Sequence, residues 1–223
     1  MLVVDDIFSS TGWYGNWGLV VASILLASFI FFVFIGWPKR LDWKSFGLTE
    51  AFIISLFTEM FGVPLTIYII SSFLGVDIAP SGLTGHLWAV FLNLYGGVNL
   101  EVGVFIVMFV SIIMIVAGLI MIIGGWISIY KGRDMLVVSG FYSYVRHPQY
   151  LGLMIILTGF IVQWPTILTL LMYPVLLFLY YKQALKEEAD LIRRFGNVYL
   201  VYASKTPRFN ILKGLLVKKN ADV

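Results

Sequence analysis

Long charge-free stretches alternate with short polar ones along this chain, and the points where ionisable residues stop define its elements. From Ile7 to Pro38 nothing ionises, and the centre of that stretch, LVVASILLASFIFFVFIGW, is long enough at about 1.5 Å per helical residue to cross a hydrocarbon layer of roughly 30 Å. Asp5 and Asp6 precede it where a cleavable leader would carry lysines, so it reads as a span. A second apolar stretch, Ala51 to Gly75, contains Glu59 and Pro64; a third runs unbroken from Val102 to Tyr130. The fourth, His147 to Tyr181, is 35 residues long with Gln163-Trp164-Pro165 at its middle, which reads as a tight hairpin of two short helices. The pattern predicts an all-α fold: a polytopic membrane helical bundle of five transmembrane helices at about 17–37, 51–75, 102–130, 149–163 and 166–181. A cytosolic helical cap and tail, 182–223, follows, within a single membrane-embedded domain 1–223.

Composition agrees. The chain is 60% hydrophobic and 12% charged, too few charges to cover a soluble globule of 223 residues. The absence of cysteine excludes disulfides, thiolate metal ligation and a thiol nucleophile, and two distant histidines, His86 and His147, make a metal site improbable. His86, in a 77–99 loop whose short apolar interior suits a re-entrant or interfacial piece, reads as an interfacial residue without chemical role. Of fifteen Lys and Arg, Lys39, Arg40 and Lys44 follow the first span, Lys131, Arg133 and Arg146 follow the third, and nine lie beyond Tyr181. Five crossings with the N-terminus outside put all fifteen in the cytoplasm, and leave Asp5, Asp6, Asp77 and Glu101 outside. These basic residues are accounted for by topology, so no nucleic-acid partner is expected.

Two polar clusters flank the hairpin, and a hairpin returns the chain to its starting side, so they should meet at one membrane face. The first is VVSGFYSYVRHPQYLG, 137–152, where Pro148 suits a first helical turn beside Arg146, His147, Tyr150 and Gly152. Unpaired N–H groups at that helix start suit an anion, and Gly152 lets a ligand or a neighbouring helix approach the backbone. The second is YYKQALKEEADLIRRFGNVYLVYASKTPRF, 180–209. There Glu188, Ile192, Phe195, Tyr199 and Tyr202 follow a spacing that puts the acid on the apolar face, with Gly196-Asn197 expected to interrupt the helix. Arg208 beyond it needs an anionic partner. Glu59, costly in hydrocarbon, should face a cavity, a ligand or another helix, and Pro64 should bend its helix. No dinucleotide, phosphate-loop, zinc-protease or serine-hydrolase motif is present.

The pairing of GFYSYVRHPQYLG, 140–152, with EEADLIRRFGNVYLVYASKTPRF, 187–209, resembles the integral-membrane methyltransferase family that includes isoprenylcysteine carboxyl methyltransferases and phospholipid N-methyltransferases. The resemblance implies S-adenosyl-L-methionine bound at the cytosolic surface by Arg146, His147, Pro148, Tyr150, Gly152, Glu187, Glu188, Tyr199 and Tyr202, with no metal. It also implies a lipophilic acceptor, most simply an isoprenylcysteine-type carboxylate clamped by Arg208; Glu59, outside the matching segments, is a candidate second acceptor contact from its place inside an apolar stretch alone. A thiol or amine acceptor would need Glu188 as its base, which makes Arg208 and Glu188 the catalytic candidates. Partners are then the lipid acceptor and membrane lipids, with no obligate protein partner. A phospholipid-amine or small-thiol methyltransferase, an NADPH-dependent sterol-type membrane reductase and a non-catalytic membrane scaffold remain as alternative readings.

Overall fold

The computed structural model describes residues 13–35, 43–75, 78–132 and 135–221. Asp5, Asp6, Lys39, Arg40, Asp77 and Arg133, invoked above for orientation, lie outside the described residues, as do Gly36 and Trp37 at the end of the first expected span. The chain is helical: α1 (Trp17–Ile35), α2 (Trp43–Phe57), a π-helical turn (Thr58–Gly62), α3 (Leu65–Leu74), α4 (Leu87–Gly96) and α5 (Leu100–Gly132). A 3₁₀ turn (Gly140–Ser143) and α6 (Pro148–Gln163), α7 (Ile167–Phe195), α8 (Asn197–Lys205) and α9 (Ile211–Ala221) complete it.

The expectation of five membrane crossings is corrected. Among the described residues two helices, α5 and α7, are long and apolar enough to cross a bilayer, or three if the bent pair Ser45–Gly62 and Leu65–Phe73 is counted as one span. The reason lies in length and continuity. The 16 residues of α6 reach only about 24 Å at about 1.5 Å each, short of a roughly 30 Å core. The intended fifth span is not a separate element either: α7 runs on through its apolar turns into the polar residues assigned to the cap, as one helix of 29 residues. The second expected span breaks at Pro64, where its two parts meet at 74°.

The chain divides into two compact units, 1–113 with 158–176, and 114–157 with 177–223. In the first, the break at Pro64 dictates the surrounding hydrogen bonds. Proline has no N–H for the Met60 carbonyl, and the next two amides turn elsewhere, Leu65 N to Val63 O at 2.8 Å and Thr66 N to Glu59 Oε2 at 2.8 Å. Three carbonyls are thereby freed, and the segment leading into α1 meets them. Trp13 Nε1 donates to Met60 O at 2.9 Å, Asn16 N to Phe61 O at 3.0 Å and Gly15 N to Gly62 O at 2.9 Å. Glu59 is thus buried as the cap of α3. His86 acts in a similar way, donating from Nδ1 to Gln163 O at 2.7 Å, while Trp88 Nε1 donates to Ile161 O at 3.3 Å; both close the end of α6. The hairpin expected at Gln163-Trp164-Pro165 is present, and Thr166 and Thr169 cap α7 reciprocally, each hydroxyl accepting the other's amide at 3.1 Å.

The second unit holds the later turns of α5, the start of α6, the polar turns of α7, and α8 and α9. Here α5 and α6 approach at Gly118 and Gly152: a Cβ on Gly152 would stand 2.6 Å from Gly118 O. After Phe195 the chain turns at Gly196, whose φ of +53° suits glycine, and restarts as α8, so the interruption expected at Gly196-Asn197 is observed. Residues 206–210 form a bent strap without regular structure between α8 and α9.

Candidate functional site

Glu188 projects from α7 as the centre of an ionic cluster. Its relative exposure is 7%, and three cationic groups from two chain segments meet it. Arg208, on the strap, closes a bidentate pair, Nε to Oε1 and Nη2 to Oε2, both at 2.7 Å. Arg146 Nη1 lies 3.1 Å from Oε1, and His147 Nε2 lies 3.1 Å from the same oxygen. The other ring nitrogen of His147, Nδ1, stands 3.3 Å from Glu187 Oε2. A buried imidazole held between two carboxylates takes a proton on each nitrogen.

The polar turns of α7 lie beyond its apolar stretch, which ends near Tyr181, and their titration follows from these contacts. Burial alone would raise the Glu188 carboxyl, but the hydrogen bonds from Arg208 and His147 and the charge of Arg146 outweigh it and hold the pKa near about 2. Burial opposes the charged form of His147, and the hydrogen bonds and charges of Glu187 and Glu188 reverse that, raising its pKa above the ordinary value. The Arg208 pKa is raised by its hydrogen bond to Glu188, so the guanidinium stays charged.

Local folding explains why these groups converge. Pro148 opens α6, which places Arg146 and His147 just before its first turn, and Arg146 N donates to Pro207 O at 2.9 Å, tying that loop to the strap. Glu187 and Glu188 are neighbours on α7, so their side chains diverge by about 100° and embrace the His147 ring from two sides. Tyr202, on α8, donates to Tyr142 O at 2.7 Å and fixes the 3₁₀ turn. Phe209 packs its ring 5.9 Å from that of His147.

Of the residues singled out from sequence, Arg146, His147, Glu187, Glu188 and Arg208 form one connected cluster. Tyr150 lies beside it, its ring 5.8 Å from His147, and buried Tyr199 interacts with Arg146. Pro148 and Gly152 face α5, where Gly125 and Gly118 make room for them. Glu59 belongs to the first unit, with its carboxylate engaged by Thr66 N. The spacing that put Glu188 on the apolar face holds for it and for Tyr199, which are buried, whereas Ile192 is 41% exposed.

Four residues of the site were not anticipated. Gln183, buried one helical turn before Glu187, hydrogen-bonds Tyr150. Tyr181 accepts Arg208 Nη1 on its hydroxyl at 3.2 Å, with the guanidinium carbon 5.2 Å from its ring centroid. Tyr142 and Phe209 complete the walls. An amide placed four residues before an acid on a helix was the available signal for Gln183; the roles of the others come from long-range packing.

Comparison with known proteins bears on the same region. The model of the isoprenylcysteine carboxyl methyltransferase (ICMT) family matches residues 100–193, a segment that contains Arg146, His147, Glu187 and Glu188. A protein-S-isoprenylcysteine O-methyltransferase of Schizosaccharomyces pombe is 35% identical over 79 residues, which are 34% of this chain and 34% of that protein. The chain therefore matches about a third of the length of that curated relative, 34%. No solved structure matches.

Proposed function

We propose that this chain, whose residues 100–193 match the model of the isoprenylcysteine carboxyl methyltransferase family, is an S-adenosylmethionine-dependent methyltransferase that esterifies an isoprenylcysteine-type carboxylate at the cytosolic membrane face. The observation that carries this reading is the closure of the Arg146-His147-Pro148 segment onto Glu187 and Glu188 in one buried ionic cluster. The excess of basic residues beyond Tyr181 supports a cytoplasmic C-terminal region, with the N-terminus on the outer side of a multi-pass chain.

The residues present suit this cofactor. Arg146 Nε and Gln149 Nε2 are buried donors with no hydrogen bond among the described residues, as a carboxylate or a purine ring requires. Glu187, 29% exposed at its side chain, and the rings of Tyr142, Tyr150 and Tyr202 suit a sulfonium or ammonium group. Arg146, His147, Pro148, Tyr150, Glu187, Glu188, Tyr199 and Tyr202 are the residues that would hold it, with Gly152 seating α6 so that Tyr150 is correctly placed. When bound, the cofactor supplies an already activated methyl group for in-line transfer.

The chain's own contribution is alignment and charge. Arg208, oriented by Glu188 and Tyr181, holds the acceptor carboxylate, and Phe209 with the tyrosine rings excludes water. A carboxylate acceptor carries no proton to remove, which agrees with Glu188: a carboxyl held near pKa 2 is a poor base, so it serves to position Arg146, His147 and Arg208. A thiol or amine acceptor would need a stronger base than this cluster offers.

Calorimetric titration of the chain in nanodiscs with S-adenosylmethionine, for wild type and His147→Ala, tests the proposal. Saturable binding by wild type, weakened in the variant, supports it, and radiolabel transfer to a prenylated cysteine then identifies the acceptor. Folded wild type that binds NADPH and not S-adenosylmethionine, or that binds neither, overturns it.

A further inference from the structure

One turn away from the ionic cluster, α6 and α7 meet a second time. Where two helices run antiparallel, successive contacts advance by three or four residues on one and retreat by as many on the other. His147, just before α6, meets Glu187 and Glu188 on α7; three residues on, Tyr150 meets Gln183, four residues before Glu187. Tyr150 is thereby held at three points. Its ring stacks on that of Tyr180 at 6.2 Å and 23°, lies 5.8 Å from that of His147, and its hydroxyl shares a hydrogen bond with Gln183.

Packing alone does not call for an amide at that place. Gln183 is 5% exposed, and Tyr180 and Ala184 beside it are fully buried. A buried amide costs free energy unless it is bonded, and a methionine of similar volume would fill the position without that cost. The bond supplies orientation. A ring supported on one face still swings about its χ1 axis, and the hydroxyl is the part farthest from the backbone, so pinning it there arrests the swing. Glu187, on the turn after Gln183, acts electrostatically on the same hydroxyl, which puts the pinned ring on the side of the site where that half-buried carboxylate lies.

We propose that Gln183 is a positioning residue for the cofactor: by bonding the Tyr150 hydroxyl it fixes the Tyr150 ring beside Glu187, and so sets the affinity of the site for the positively charged sulfonium of S-adenosylmethionine. The ring presents its face at the right tilt only while the hydroxyl is held, because attraction between a cation and an aromatic ring depends on which part of the ring the cation meets. Gln183 itself touches no reacting atom and acts through Tyr150. Its effect on affinity rests on the function proposed above, whereas the fixing of Tyr150 does not.

The test is a double-mutant cycle of Gln183→Met and Tyr150→Phe in the full chain, reading both stability and S-adenosylmethionine affinity by calorimetry in nanodiscs. Each single variant strands a buried partner and should unfold more easily, and the double variant, which removes both groups, should regain most of that loss. Affinity is expected to fall about fivefold in each single variant, the worth of one buried hydrogen bond, and to stay about fivefold down in the double variant although its stability recovers. Affinity that recovers together with stability makes the bond structural only and overturns the proposal, as do losses that add or Gln183→Met binding like wild type. A fluorine label, 3-fluorotyrosine at position 150, reads the ring without cofactor, and its resonance should shift and broaden in Gln183→Met. A signal that changes in a wild type unable to bind S-adenosylmethionine removes the proposed function and leaves the positioning of Tyr150 standing; intact binding with an unchanged signal does the reverse.

Discussion

Replacing Glu188 by glutamine keeps the side-chain volume and one carbonyl acceptor but deletes the charge that Arg208, Arg146 and His147 share at 2.7, 3.1 and 3.1 Å. Removing one partner of a fully buried ion pair costs about 3–5 kcal/mol, because the remaining charges stay desolvated without compensation. Arg146 and Arg208 retain 15% and 24% side-chain exposure, so water recovers part of the loss, and a destabilisation near the lower end, about 3 kcal/mol, is expected for Glu188→Gln. Glu187→Gln is the internal control: it removes one contact of 3.3 Å from a side chain 29% exposed, which is worth about 1 kcal/mol or less. Equilibrium unfolding in mixed micelles, followed by tryptophan fluorescence, measures both. The reasoning is refuted if Glu188→Gln unfolds within about 1 kcal/mol of wild type, or if Glu187→Gln is the more damaging of the two.

Further consequences follow from the same contacts. The His147 pKa is raised, so its ion pairs contribute in full below the ordinary 6.5 and are lost as pH rises through the folded value; S-adenosylmethionine affinity measured against pH should fall on that alkaline limb, and the limb should vanish in His147→Ala. The Glu188 contribution runs the opposite way, present above its ordinary 4.5 and lost as pH falls towards about 2, which an acid unfolding curve will show as a shift in Glu188→Gln. Gly152→Ala places a methyl group 2.6 Å from Gly118 O and should cost about 1–3 kcal/mol in unfolding assays, whether or not cofactor is present. Glu59→Leu orphans the Thr66 amide at the bend and should cost about 1–3 kcal/mol, while Glu59→Gln, which keeps an acceptor, should cost much less in the same assay.

Much of this arrangement was legible along the chain because it depends on local chemistry. Pro64 had to break its helix, Gln163-Trp164-Pro165 had to turn, and Gly196 had to interrupt the run from Glu188 to Tyr202. The RHP segment and the paired glutamates were also visible as groups that a hairpin would bring together. The number of crossings was not legible, because apolar length between charges overestimates helix length: the stretch from His147 to Tyr181 divides into a 16-residue helix and the opening of a 29-residue helix that ignores the polar boundary. Nor could spacing show that Arg146 and Arg208, far apart along the chain, share one carboxylate. Gln183 was overlooked because its neighbours in sequence are surface-like, although its position one turn before Glu187 places it on the same side of α7. That Glu59 caps the Thr66 amide was not legible either, because the amide is freed only by the bend at Pro64.

The sharing of Glu188 among three cations also shapes how such a sequence can drift. Ile192, exposed on the same helix, is free to change alone. Any replacement at Glu188 strands groups from both the loop before α6 and the strap after α8, and no single second substitution repairs both. Lineages descending from this chain would therefore vary around the carboxylate, exchanging the rings that wall it and the lysines beyond it, long before any of them found a stepwise route away from the carboxylate itself.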